Sequence, residues 1–358
     1  MGGSPYASAL GRFKALTPTL LPRDAFGPLG QARDLVEVAG LLERTTYGPE
    51  LAAAGATYEG PARLEVAINR LFVHRNHLLL QSASFAGKPL LQAYLRRWDV
   101  QNIGLILSAK AEARPLAEAE VFLVSSREIP AGLLSGGISL DEYRALLALP
   151  SLEAVTSGLV KFGFGGVLLP LLEGYRASHD IFPLIQALDK EYYARLLEQA
   201  KFFQGDEWVI REFLRSEIDV RNVLLLLKGK DAELPVDEVL ARFLDGGTLT
   251  RDRVSDLYNV RGVAELVGQL EPRYPALTEG LAPYAAQRSL VAFETALTRE
   301  RAVTELRRLK SFPLSICILF TFLLLSELER ADLRKVVYGK LYGVSSEELG
   351  RSLILPRL

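Results

Sequence analysis

The sequence predicts an all-α protein built from three similar helical units. Three observations carry this reading. Apolar residues recur at helical rather than alternating spacing over long stretches, with no convincing strand among them. Glycine and proline fall mostly between those stretches, as in Gly48-Pro49, Gly136-Gly137 and Gly246-Gly247. One helical segment recurs three times.

Residues 99–110 read DVQNIGLILSAK and residues 219–230 read DVRNVLLLLKGK. At this spacing of 120, Asp, Val, Asn, two leucines and the final Lys coincide. A weaker copy, ERADLRKVVYGK at 329–340, puts Glu329 in the place of Asp219 and Asp332 in the place of Asn222, and its Gly339-Lys340 matches Gly229-Lys230. Upstream of each copy a long helical stretch carries an apolar–acid pair: Leu64-Glu65, Leu188-Asp189 and Phe293-Glu294. Short helical segments come earlier still, around 35–51, 151–160 and 259–270. The expected division is therefore a first unit over 1–115, a second over 116–235 and a third, with a C-terminal tail, over 236–358. Three like units suggest pseudo-threefold packing, each burying part of its apolar face on its neighbours.

Asp219 and Asn222 are three residues apart and share a helix face, with Arg215 four residues before Asp219 on the same side. Val223 to Leu227 is apolar all round, so this helix must be enclosed on most sides. A polar cluster on such a helix has to be hydrogen-bonded. We therefore read Asp99, Asn102, Asp219, Asn222, Glu329 and Asp332 as structural polar clamps that tie each helix to a neighbour or a loop. The competing reading is a catalytic or metal site. It would require three copies of that site in one chain, with no histidine or second carboxylate beside the pair. Gly229 is placed as a left-handed stop, and Lys228 and Lys230 suit the negative end of the helix.

Composition narrows the function. The 358 residues carry 42 basic and 43 acidic side chains, a formal net charge of −1. That balance argues against a nucleic-acid partner and against electrostatic docking on anionic lipid. The lone cysteine, Cys317, allows no internal disulfide, and the N-terminus lacks the apolar core of a signal peptide. Phe312–Leu325 reads FPLSICILFTFLLL and stops at Ser326-Glu327, short of the roughly 20 apolar residues of a spanning helix. It is expected as a buried helix with Pro313 in its first turn.

Signatures of chemistry are missing. His74 and His77 have no third ligand at zinc spacing. Neither a phosphate-binding GxxxxGK[ST] loop nor a GxGxxG turn occurs, and the glycines of Phe162–Gly166 read as a turn. No Asp-Asp pair exists to bind a metal-bound diphosphate, and Cys317 in its apolar run is a poor nucleophile. No catalytic residue, cofactor, metal or small-molecule ligand is expected.

The C-terminal stretch, FPLSICILFTFLLLSELERADLRKVVYGKLYGVSSEEL, resembles the end of the C subunit of V/A-type (vacuolar/archaeal-type) ATPases, whose counterpart in eukaryotic vacuolar ATPases is the d subunit. Pro313, Glu329, Leu333, Arg334, Gly339 and Lys340 match the family pattern, and Asp332 departs from its usual Asn. LLERTTYGPELA at 41–52 is similar to the family's Thr-x-Tyr segment, and the resemblance extends from about Tyr6 to Leu349. It implies a funnel of three similar domains and a non-catalytic rotor subunit. Such a protein joins the central stalk to the membrane ring of proteolipid subunits, peripherally on the cytoplasmic face, and carries torque between ATP chemistry and ion flow. The apolar, glycine-rich stretch Leu159–Leu172, with Phe164 and Val167, is a candidate ring contact. Two other readings remain: a free-standing helical adaptor, and an all-α enzyme with a buried acidic pocket.

Overall fold

The computed structural model describes residues 6–84, 87–112, 135–202 and 208–355. The expected boundary at 115/116 lies outside the described residues, and the one at 235/236 falls at Pro235, just before the Val236–Arg242 helix. The described chain consists of helices joined by turns and short loops, with no strand among the described residues.

Three pairs of long helices dominate. Gly60–Ser82 is followed, after the short Lys88–Leu95 helix, by Arg97–Ala111; Phe182–Ala200 by Trp208–Asp231; and Val291–Lys310 by Cys317–Leu341. The second helix of each pair carries one copy of the repeat. Each first helix packs on the repeat helix of the preceding pair: Phe182–Ala200 on Arg97–Ala111, and Val291–Lys310 on Trp208–Asp231. Gly60–Ser82 lies against Cys317–Leu341, so the first pair closes on the last.

The short helices between the pairs start at side-chain caps. Asp34, Ser139, Ser151, Thr250 and Ser345 each accept a backbone N–H three residues on, and Ser139 with Glu142 completes a capping box. Such a cap satisfies donors that a helix start leaves open.

The core follows the same closure. Leu21, Phe26, Val38, Leu51 and Leu64 share one apolar cluster with Leu333, Val336, Val337 and Leu349. A second cluster runs from Val223 to Leu297, and a third draws on all six long helices.

Two boundaries differ from expectation. The apolar helix begins at Cys317, four residues after Pro313, because Phe312–Ile316 forms a turn in which the Ser315 hydroxyl accepts the Cys317 N–H at 3.1 Å. Cys317 to Leu324 is then buried, and no described helix is long and apolar enough to cross a membrane. Gly229 is not a left-handed stop: its helix continues to Asp231, and Glu233 takes the left-handed conformation instead, at φ 55°. The Leu234 N–H returns to the Gly229 carbonyl at 2.9 Å, as Val344 does to Gly339 at 2.8 Å around Gly343. Gly229 is small for another reason: a Cβ there would lie 2.6 Å from Val239 Cγ2.

Candidate functional site: polar clamps and an ionic centre

Asp99, 1% exposed, points at the backbone of Gly137 and Ile138. It accepts the N–H groups of Gly137 at 2.6 Å and Ile138 at 3.2 Å, and the Tyr143 hydroxyl at 2.8 Å. Burial nonetheless holds its carboxyl above the usual carboxylate range, against the pull of these donors. Asn102, equally buried, shares the Tyr143 hydroxyl.

Asp219 repeats the arrangement. It accepts the N–H groups of Thr248 at 2.7 Å and Leu249 at 3.0 Å, and the Thr248 hydroxyl, while Arg273 lies 3.2 Å away. Arg273 thus occupies the place that sequence spacing assigned to Arg215, which pairs with Glu212 at 3.2 Å instead. Asn222 holds Leu244 by both backbone groups, accepting its N–H at 3.0 Å and donating to its carbonyl at 2.8 Å.

In the third copy the contacts run to both ends of the chain. Glu329 accepts the Leu21 N–H, the Tyr47 hydroxyl and Arg75 Nη1, each at 2.6 Å. Arg75 also donates to the Thr19 carbonyl. Asp332, in the place of Asn222, accepts the Ile354 N–H at 2.9 Å and the Leu355 N–H at 2.7 Å. Its carboxyl is raised by burial, against the pull of those two donors.

The last lysine of each copy behaves alike. Lys110 donates to the Leu147 carbonyl at 2.7 Å, Lys230 to Tyr258 at 2.8 Å, and Lys340 to Gly30 at 2.7 Å. The first two carbonyls end the helices Leu140–Leu147 and Arg251–Tyr258, and Gly30 sits in the last turn of Phe26–Gln31.

Sequence reading missed the residues that complete these contacts. A Cβ at Gly136 would fall 2.2 Å from the Asp99 carboxylate, and one at Gly247 2.3 Å from Asp219 Oδ1, so each Gly-Gly doublet lets backbone approach a carboxylate. The doublets were visible, but nothing local linked them to a carboxylate dozens of residues away. Also missed was an ionic centre. Arg97 Nη2 lies 3.2 Å from Glu217 Oε1, Arg301 Nη2 donates to Glu217 Oε2 at 3.0 Å, and the Tyr193 hydroxyl donates to Oε1 at 2.5 Å. Burial alone would raise Glu217, but Arg97 and Arg301 outweigh it and hold the carboxyl at about 2.

His74 and His77 are exposed, and no cluster of three or more His, Cys, Asp or Glu that could hold a metal occurs among the described residues. Phe164 is buried beneath the Arg96 guanidinium, 5.2 Å from its ring centroid. In the same stretch Val160 and Leu169 are the exposed apolar residues. The stretch is a series of short turns around left-handed Gly163 rather than one helix.

These features define an all-helical, repeat-built protein whose buried polar side chains hold its own backbone. The ATP synthase (C/AC39) subunit family matches residues 9–351, and the chain belongs to that family. The chain is 32% identical over 355 residues to the A-type ATP synthase C subunit of Thermoplasma acidophilum, covering 99% of each chain. It is 32% identical over 348 residues to that of Thermoplasma volcanium, 96% of each. With that of Methanocaldococcus jannaschii it is 26% identical over 359 residues, covering 98% of this chain and 86% of the relative.

Proposed function

We propose that this chain is a non-catalytic rotor subunit of an A-type ATP synthase. In this reading it joins the central stalk to the membrane ring of proteolipid subunits, at the cytoplasmic face, and passes torque between them. The observation that carries the reading is the end-to-end match to relatives that bear the name of the A-type ATP synthase C subunit. The geometry supplies a physical reason. A torque joint needs stiffness, and closely packed interiors transmit strain. Ion flow loads the joint with about 2.3 kcal/mol per charge per 100 mV. A body whose last repeat helix is bonded through Glu329 to Leu21, Tyr47 and Arg75 resists the opening of its packing under such a load.

In the same proposal the chain comprises three units, ending near 115, 235 and 358, set about a common axis as a funnel. Asp99, Asn102, Asp219, Asn222, Glu329 and Asp332 serve it as structural clamps rather than as a reactive site. Val160 and Leu169 are the residues of the Leu159–Leu172 stretch best placed to touch the ring, because Phe164 and most of Val167 face inward.

The test is co-purification of the full chain with the detergent-solubilised ATPase, for wild type and for a V160D/L169D variant. The expected result is retention of wild type with both stalk and ring, and loss of the ring alone in the variant. Wild type found free of the complex would overturn the rotor role and favour an independent adaptor. Unimpaired ring binding by the variant would reject this contact surface.

A further inference from the structure

The residues two positions before Asp99, Asp219 and Glu329 are Arg97, Glu217 and Glu327. These matching positions, from three helices far apart in sequence, come together. Arg97 Nη2 is 3.2 Å from Glu217, and Arg97 Nη1 is 3.7 Å from Glu327 Oε2. One guanidinium therefore serves two carboxylates, and serves them unequally. Glu217 has Arg301 and the Tyr193 hydroxyl as well. Among the described residues Glu327 has, besides Arg97, one hydrogen-bond donor, the Tyr94 hydroxyl, which donates to Oε2 at 3.0 Å, while its buried Oε1 has no hydrogen-bond partner.

A carboxylate oxygen without a donor or water is expensive when charged and much less so when the group carries a proton. The groups facing Glu327 are Tyr94 and Arg97 from the first repeat region, Glu217 from the second repeat helix and Arg301 from the Val291–Lys310 helix. Tyr192 and Tyr193 stand behind them, against Arg97 and Glu217. Arg301 is committed to Glu217, and the negative charge of Glu217 opposes a second one nearby. We propose that Glu327 is a proton-binding site at the meeting point of the three repeat helices, through which the grip between those helices responds to pH. With the proton bound, Arg97 and Arg301 both serve Glu217. With the proton lost, Glu327 competes with Glu217 for Arg97.

The direction of titration agrees: burial holds the Glu327 carboxyl above the ordinary glutamate range, against the pull of Arg97, while its counterpart Glu217 is held at about 2. For a carboxyl raised in the folded state, folding binds protons. Its stabilising share is therefore complete below the unfolded value and is lost as pH rises through the folded one.

The experiment is thermal unfolding of the full chain from about pH 8 to about pH 5, for wild type, Glu327→Gln and Tyr94→Phe. Infrared difference spectra between the two ends of the range accompany it. In wild type, lowering the pH should bring up a protonated-carboxyl carbonyl band. Glu327→Gln should remove that band and raise the melting temperature at the alkaline end, the gain shrinking toward the acidic end. Tyr94→Phe removes the one good donor to Glu327 and should move the band's midpoint to higher pH, a readout that survives even if Glu327→Gln fails to fold. An equal loss of melting temperature at every pH in Glu327→Gln, or a midpoint unmoved in Tyr94→Phe, would overturn the proposal.

Discussion

Arg75 and Glu329 stand 254 residues apart in sequence and 2.6 Å apart in space, each side chain 1% exposed. Removing one partner of such a pair leaves the other charge buried, which costs about 3–5 kcal/mol. Glu329→Ala also strips the Tyr47 hydroxyl and the Leu21 N–H of their acceptor. Denaturant unfolding should report a loss of that size. Arg351→Ala, which breaks an ion pair exposed on both sides, should leave the midpoint unmoved. Equal effects from the two variants would contradict the closure.

Asp219→Ala should lower stability by about 2–4 kcal/mol, because the N–H groups of Thr248 and Leu249 lose their acceptor in a largely buried place. Asp219→Asn keeps one acceptor oxygen and should cost less. Calorimetric melting of the two variants checks the order. An alanine variant as stable as wild type would remove the clamp reading.

Backbone geometry gives a prediction of opposite sign at two positions. Glu233 closes its helix in the left-handed region, where a side chain costs about 1–2 kcal/mol. Part of that gain is returned through the freer unfolded chain, so Glu233→Gly should stabilise by about 0.5–1 kcal/mol. Gly247→Ala should destabilise, since its Cβ would sit 2.3 Å from Asp219 Oδ1. Melting temperatures should rise in the first variant and fall in the second.

Acid should act on the ionic centre with a defined sign. Glu217 is depressed to about 2 in the folded state from 4.5. Its stabilising share is whole above 4.5 and is lost as pH falls toward 2, since the unfolded chain then binds the proton more readily. Glu217→Gln should flatten the acid limb of a stability–pH curve and lower the neutral plateau, because Arg97 and Arg301 lose their shared carboxylate.

How far this could be read beforehand depended on distance along the chain. The helical class and the three copies were legible because periodicity and repetition are local. That these six positions need partners was legible, because a buried acid or amide on an apolar helix must be hydrogen-bonded. The partners themselves were not, since Glu329 reaches Leu21 across 308 residues and Asp99 reaches Ile138 across 39. Arg215 illustrates the limit: helical spacing put it beside Asp219, but Arg273, 54 residues on, arrived from another element. The meeting of Arg97, Glu217 and Glu327 stayed hidden for a different reason. The repeat was recognised by identical residues, and here the three copies differ in charge.

Ribosomal synthesis runs from one end, yet the apolar cluster around Leu21 to Leu71 is completed by Leu333, Val336 and Val337. The Leu21–Leu71 face must therefore wait, partly uncovered, until residues 333–349 have emerged. A nascent chain stalled before residue 317 would leave that face without Leu333, Val336 and Val337, and release of the Cys317–Leu341 helix is the event that lets it settle.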